Sequence, residues 1–384
     1  MSTDIAVSRP PTHGPLANAL FAHAGAARMP VAAGLELTFR CNLACLHCYV
    51  NLPAADREAK ARELTTDEWY RVLDQCADAG VLFLTLTGGE PLLRPDFCEI
   101  YEYAHAKGMV TSVYTNATLI TERHVELWCR HPPRSVEITQ YGWTRETYDT
   151  VTDAGAQYDR FQRGLARLRE AGVPVTLKAV ALRSNVHELT AIRDYADAEG
   201  LEFRYDAIIS PRIDGGRKPL EQRLSPAEVT AIEWADQRRA EVFAQYCGDS
   251  IGQVPRDDYK YQCGAGLDTI IVDPYGKMHV CQLSRRPGWD ILRDGLAAGF
   301  DKAFGALREE RRTETSGGCG TCPTIGACSN CVGMAELEAR STDFGDPYFC
   351  NITDSRAERQ LGAVRPTPNG LVRLRILGER GEHG

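Results

Sequence analysis

The sequence predicts an α/β protein: a partial (β/α)6 barrel followed by a small Cys-rich α+β domain. Three observations carry this. Six apolar, β-branched segments alternate with amphipathic helical ones between residues 35 and 207, the pattern of a parallel sheet with helices outside it. Distinctive motifs stand directly after the first two strand candidates, where barrels build their sites. Cysteine and glycine then crowd residues 263–350, where strand candidates are short and turns many.

Taken in order, residues 1–33 are rich in Ala and Pro without sustained periodicity and read as a flexible N-terminal extension. Strands are expected over 35–39, 81–86, 109–114, 135–139, 175–181 and 202–207. Helices are expected over 66–79, opened by a capping box of Thr65 and Glu68, and over 96–106, 122–129, 158–171 and 186–198. Six repeats favour a TIM-like barrel over an open sheet. A long helical stretch, 226–246, separates the repeats from the Cys-rich region. The expected domains are therefore a core over 34–235, a linker helix region over 236–262, a Cys-rich domain over 263–353 and a tail over 354–384 with one strand-like run, 371–377.

A chain of 384 residues, 43% hydrophobic and 25% charged, is long enough for two domains. Its net charge of −8, with no long basic run, argues against nucleic acid and anionic membrane surfaces as partners. No segment approaches the roughly 20 apolar residues of a membrane helix, and the Ala-rich start lacks the charged front of a secretion signal. The expected compartment is the cytoplasm. In that reducing setting the 14 cysteines are better explained as metal or cluster ligands than as disulfides.

Directly after the first strand stands Cys41-Asn-Leu-Ala-Cys45-Leu-His-Cys48. Three thiolates can hold three irons of a [4Fe–4S] cluster, which normally takes four cysteines, and so leave one iron open to another molecule. The bland alternative is a zinc knob completed by His47 or a distant cysteine. After the second strand lies Thr87-Gly88-Gly89-Glu90-Pro91. Its glycines permit close backbone approach and positive φ, and Glu90 can accept hydrogen bonds from an ammonium group.

The C-x3-C-x2-C loop and the Gly-Gly-Glu motif, one β/α unit apart, resemble the radical S-adenosylmethionine (SAM) superfamily. The resemblance implies that SAM chelates the open iron through its amino and carboxylate groups, and that one electron splits it into methionine and a 5′-deoxyadenosyl radical. It also implies cofactor contacts from His47, Gly88, Gly89 and Glu90, and from Asn116 and Thr139 at the ends of the third and fourth strands. Thr139 stands where Ser is more usual, and Gln140-Tyr141-Gly142 departs from the commoner apolar-acidic-Gly pattern.

Seven further cysteines, Cys263, Cys281, Cys319, Cys322, Cys328, Cys331 and Cys350, are too many for one cluster. Their order resembles the SPASM domain, the auxiliary-cluster extension of a radical SAM subfamily that matures peptides and proteins. Here the spacing closes as C-x2-C between Cys328 and Cys331, one residue short of the family pattern. The resemblance implies one auxiliary [4Fe–4S] cluster on Cys263, Cys281 and Cys331, with Cys247 or an open iron as the fourth position. It implies a second on Cys319, Cys322, Cys328 and Cys350. Cys76, Cys98 and Cys129 fall in predicted helices and read as small apolar residues.

A deoxyadenosyl radical removes hydrogen from an unactivated carbon, and auxiliary clusters suit taking up the electron that follows. The expected function is oxidative modification, such as a crosslink, of a ribosomally made peptide or protein. The expected partners are a reducing donor such as flavodoxin or ferredoxin and a separate leader-peptide recognition protein. The alternatives are tetrapyrrole side-chain modification, sulfatase maturation and, outside enzymes, a zinc-binding interaction module. No catalytic acid or base is legible; Asp206 and Tyr141 near strand ends are the nearest candidates.

Overall fold

The computed structural model describes residues 15–50, 52–247, 259–312, 319, 322, 324–339 and 347–361. They divide between two compact units, one formed by Gly14–Arg223 with Gly264–Ala306, the other containing Leu224–Cys263 and the chain from Leu307 onward.

The first unit is built on a sheet of β1 (Ala32–Thr38), β2 (Phe83–Gly88), β3 (Val110–Thr115), β4 (Ser135–Thr139), β5 (Val175–Val180), β6 (Glu202–Asp206), β7 (Thr269–Val272), β8 (Lys277–His279) and β9 (Pro287–Asp290). Their order is β9-β8-β7-β1-β2-β3-β4-β5-β6. Strands β1 to β6 are parallel neighbours in chain order. The barrel is partial because the free edge of β1 is taken by β7, in parallel register from Ala32↔Thr269 to Leu35↔Val272, rather than by β6. Alternation decides the faces. Leu35, Leu37, Leu84, Leu86, Val136, Ile138, Leu177 and Ala179 are buried apolar residues. Glu36, Thr38, Thr87, Ser112, Tyr114, Glu137, Lys178 and Arg204 take the intervening positions and line the opposite face, the inner wall.

The longer helices of this unit are α1 (Pro15–Ala27), α2 (Thr66–Asp78), α3 (Phe97–Ala106), α4 (Glu122–Arg130), α5 (Arg145–Thr152), α6 (Tyr158–Glu170) and α7 (Leu189–Ala198). The capping box at Thr65 and Glu68 opens α2 as expected. Three findings depart from the sequence reading. Within the supposed extension, α1 is helical because Phe21 and Ala24, three apart, bury with Val31, and the Phe21 ring stacks on Phe83 at 5.5 Å. Helix α5 was not expected; Thr144 caps it through a bond from the Thr147 N–H. Residues 264–306, assigned by sequence to the Cys-rich domain, belong to the barrel unit, since β7 completes the edge of β1.

The second unit contains α8 (Pro226–Ala235), α9 (Gln237–Cys247), α10 (Val332–Ala339) and α11 (Pro347–Leu361). The single helix expected over 226–246 is interrupted at Asp236, whose extended backbone (φ −94°, ψ 101°) ends α8. Helix α11 runs past the expected boundary at 353/354 because its later turns are anchored. Arg356 pairs with Glu233 of α8 through bonds of 2.9 and 2.6 Å, both side chains buried, and Ser355 meets Thr230 at 2.9 Å. The strand-like run 371–377 lies outside the described residues.

Candidate cluster and cofactor site

The cysteine loop leaves β1 at Thr38 and is held from four sides. Behind it, the Arg40 guanidinium makes a two-point ion pair with Glu63, 2.8 and 3.0 Å, and both side chains are buried. Arg94 stands 3.7 Å from the same carboxylate and 2.7 Å from Asp96. On the opposite side, Ala44 and Leu46 donate backbone bonds to Thr152 and Val151 at the end of α5. Arg212 and Ile213, in the chain after β6, bond to the carbonyls of Val50 and Tyr49.

The fourth side is the Gly-Gly-Glu motif. Gly88 has φ +127°, and a Cβ there would sit 2.2 Å from the Thr38 carbonyl oxygen; one on Gly89 would sit 2.3 Å from that of Arg40. The N–H groups of Gly89 and Glu90 donate to those two carbonyls at 2.7 and 2.9 Å. The close approach that the sequence assigned to a ligand is therefore made first to the chain itself, at the residues leading into Cys41.

Glu90 differs from expectation in the same way. It is fully buried, and its oxygens accept bonds from Leu92 N–H (3.0 Å), the Thr115 hydroxyl (2.8 Å) and Asn116 N–H (2.8 Å). It is a joint between the ends of β2 and β3, not an exposed acceptor. Burial raises its carboxyl to about 7, against the three donors, which pull the other way.

Asn116 carries that joint to the cysteines. Its amide nitrogen donates to Asn42 Oδ1 at 3.0 Å and approaches Cys41 Sγ at 3.7 Å, while its oxygen accepts from Thr118. Cys41 also accepts from the Leu43 N–H at 3.4 Å. Burial pushes the Cys41 thiol up to about 12, with Glu90 and Cys48 acting in the same direction. Cys45 is raised well above the usual thiol range by burial, then by Cys48 and Cys41. Three thiols that oppose one another's ionisation form a set that becomes thiolate only against positive metal, and this donor chemistry fits an iron–sulfur cluster.

His47 is turned toward Tyr141, ring centroids 5.8 Å apart, with Nδ1 buried and without a partner among the described residues. Burial lowers it to about 4, so its ring is neutral near pH 7. Thr139 is half-buried at the end of β4, and the next residue, Gln140, donates its N–H to the Lys178 carbonyl at 2.7 Å. Tyr141, named from the sequence as an acid or base candidate, and Asn185, which sequence reasoning passed over, also shape the site. The Tyr141 hydroxyl bonds to Cys45. Buried Asn185 donates to the carbonyls of Tyr141 (2.8 Å) and Val180 (3.0 Å), fastening the ends of β4 and β5 together.

The later cysteines separate by unit. Cys281 belongs to the barrel unit, where its sulfur accepts from the N–H groups of Leu283 and Ser284, each at 3.2 Å. Within the second unit, burial raises the Cys328 thiol, and Cys322 and Cys350 add to the rise. Burial likewise raises Cys331, with Cys263 adding to it. Among the described residues no three His, Cys, Asp or Glu side chains are set to hold a single metal ion. A four-iron cubane asks for something different, each thiolate on its own iron.

Residues 35–196 match the family model described as the radical SAM superfamily. The mycofactocin maturase of Mycobacterium tuberculosis is 27% identical over 353 residues, covering 88% of this chain and 87% of the relative. The PqqA peptide cyclase of Rhizobium meliloti is 32% identical over 258 residues, covering 66% of this chain and 67% of the cyclase. Among solved structures, Streptococcus suis SuiB bound to the precursor peptide SuiA superposes with a TM-score of 0.65 at 17% identity, over 89% of this chain and 83% of that one.

Proposed function

The chain belongs to the radical SAM superfamily, and from that premise we propose that it matures a ribosomally made peptide, with Cys41, Cys45 and Cys48 holding the SAM-binding [4Fe–4S] cluster. The observation that carries the reading is the braced loop: three thiols at the mouth of a parallel barrel, against backbone that Gly88 and Gly89 alone permit. The peptide substrate class is supported by the relatives, a mycofactocin maturase and a PqqA peptide cyclase.

Cys41, Cys45 and Cys48 would hold the cluster, and the chemistry it would supply there is one-electron reductive cleavage of SAM into methionine and a 5′-deoxyadenosyl radical. The chain's own work is positioning. Glu90 holds the ends of β2 and β3 together, Asn116 sets its amide against Cys41, and His47, neutral and turned toward Tyr141, gives the loop a dry flank. Gly88, Gly89 and Thr139 contribute backbone and hydroxyl groups to SAM in this reading. Cys263, Cys281 and Cys331 would hold one auxiliary cluster, and Cys319, Cys322, Cys328 and Cys350 a second. A flavodoxin or ferredoxin as electron donor, and a separate protein that recognises a leader peptide, complete the proposal. No described helix is long and apolar enough to cross a membrane.

The test is anaerobic purification, iron and zinc counts per chain, and assay for 5′-deoxyadenosine with dithionite and SAM. The expected result is about 8 to 12 irons per chain, at four per cluster, and deoxyadenosine formed. Replacing Cys41, Cys45 and Cys48 together by Ala removes about four irons and abolishes cleavage. Candidate peptides are then screened for a SAM-dependent mass change. A tetrapyrrole that changes mass while no peptide does would replace the peptide reading.

A further inference from the structure

Outside the cysteine loop, the inner wall carries a second polar cluster drawn from four consecutive strands: Tyr114 of β3, Glu137 of β4, Lys178 of β5 and Arg204 of β6. Strand register sets Tyr114 opposite Glu137, and Lys178 opposite both Thr139 and Arg204. Arg204 donates to the Glu137 carboxylate and, at 3.0 Å, to the Tyr114 hydroxyl. The Lys178 ammonium lies 3.3 Å from the centre of the Tyr114 ring and 3.5 Å from the same Glu137 oxygen that Arg204 engages.

One carboxylate oxygen thus serves two cations. Asp206, two register pairs nearer the strand end, is exposed and acts on both only through space. Donors exceed acceptors: an ammonium offers three and a guanidinium five. Among the described residues Arg204 Nε is buried without a partner, and Glu137 is the one ion-pair partner of Lys178. Both side chains are mostly but not wholly covered, at 16% and 26% exposure. Charged donors short of an acceptor are costly to hold there, and an incoming oxyanion would relieve the shortage.

We propose that Lys178 and Arg204 form an anchoring site, on the inner wall of the barrel, for a carboxylate of the peptide substrate. The proposal rests on the peptide reading above. Thr139, the SAM contact proposed on β4, is the register neighbour of Lys178, so a carboxylate of SAM is the competing occupant that the experiment below separates. Sheet order puts β5 and β6 three and four strands beyond β2, which carries Gly88 and leads into Glu90, and farther still from the loop after β1.

The experiment incubates cluster-loaded protein with a pool of N-acetylated octapeptides rich in Asp and Glu with a free C-terminus. A matched pool carries Asn, Gln and a C-terminal amide, and retained peptides are counted by mass spectrometry. The wild type is expected to retain acids over amides by about tenfold, the order of one charge-assisted bond. K178M should lose that preference and K178R recover most of it. Equal retention of the two pools by the wild type, or retention of neither, overturns the proposal without reference to any variant. S-adenosylhomocysteine and 5′-methylthioadenosine, which carry and lack the methionine-side carboxylate, separate the other source. A loss in K178M confined to the former assigns the site to the nucleoside and also overturns it. The peptide reading itself is judged by mass change under turnover, so it survives either failure.

Discussion

Glu90→Gln tests the reasoning about the joint between β2 and β3. In the wild type, burial holds the carboxyl proton until about pH 7 instead of the usual 4.5. A carboxyl raised on folding binds its proton more tightly in the native state, so its contribution to stability falls as pH rises from about 4.5 to about 7. At about 1.4 kcal/mol per pH unit, that loss is about 3 kcal/mol, present in full above pH 7. Gln has no such titration. Its carbonyl can keep the Oε1 bonds from Leu92 and Thr115, but its amide then faces the Asn116 N–H, donor against donor, at a cost of about 1–3 kcal/mol. E90Q should therefore be the less stable protein at pH 5 and draw level with, or overtake, the wild type by pH 8. The gap between them should change by about 2.5 kcal/mol across that range, the remainder of the loss falling below pH 5. Urea unfolding of the iron-free chain, followed by tryptophan fluorescence at several pH values, reads it directly. A gap that stays constant to within about 1 kcal/mol from pH 5 to 8 would refute the assignment of a raised carboxyl at this position.

Gly89→Ala forces a Cβ to within 2.3 Å of the Arg40 carbonyl oxygen; it should displace the cysteine loop and lower iron content by about four atoms per chain, read by metal analysis after reconstitution. Glu63→Gln leaves Arg40 and Arg94 without their buried carboxylate and should cost about 3–5 kcal/mol in denaturant unfolding. Phe21→Ala removes the buried ring that stacks on Phe83; a loss of about 3 kcal/mol, with faster amide exchange along α1, is the expected outcome. Arg356→Met breaks the buried pair with Glu233, and early protease cleavage within α11 should report it.

The six strands of the barrel and the helices between them, α5 excepted, were legible because alternation and helical spacing are local patterns that each segment carries by itself. The cysteine loop could be picked out for a related reason: its three thiols and the Gly-Gly-Glu motif each lie within a few residues of chain, so local spacing displays them as candidate ligands without the fold. Tertiary structure decided what depends on residues far apart. Helix α1 exists by docking Phe21 on Phe83, and residues 264–306 join the barrel because the free edge of β1 needs hydrogen-bond partners that β7 supplies. Glu90 looked like a ligand acceptor from its neighbours in sequence, yet Thr115 and Asn116, a full β/α unit away, occupy its oxygens. The meeting of Lys178, Arg204, Glu137 and Tyr114 needed four strands in register, and no single segment carries register, since pairing is a property of neighbouring strands.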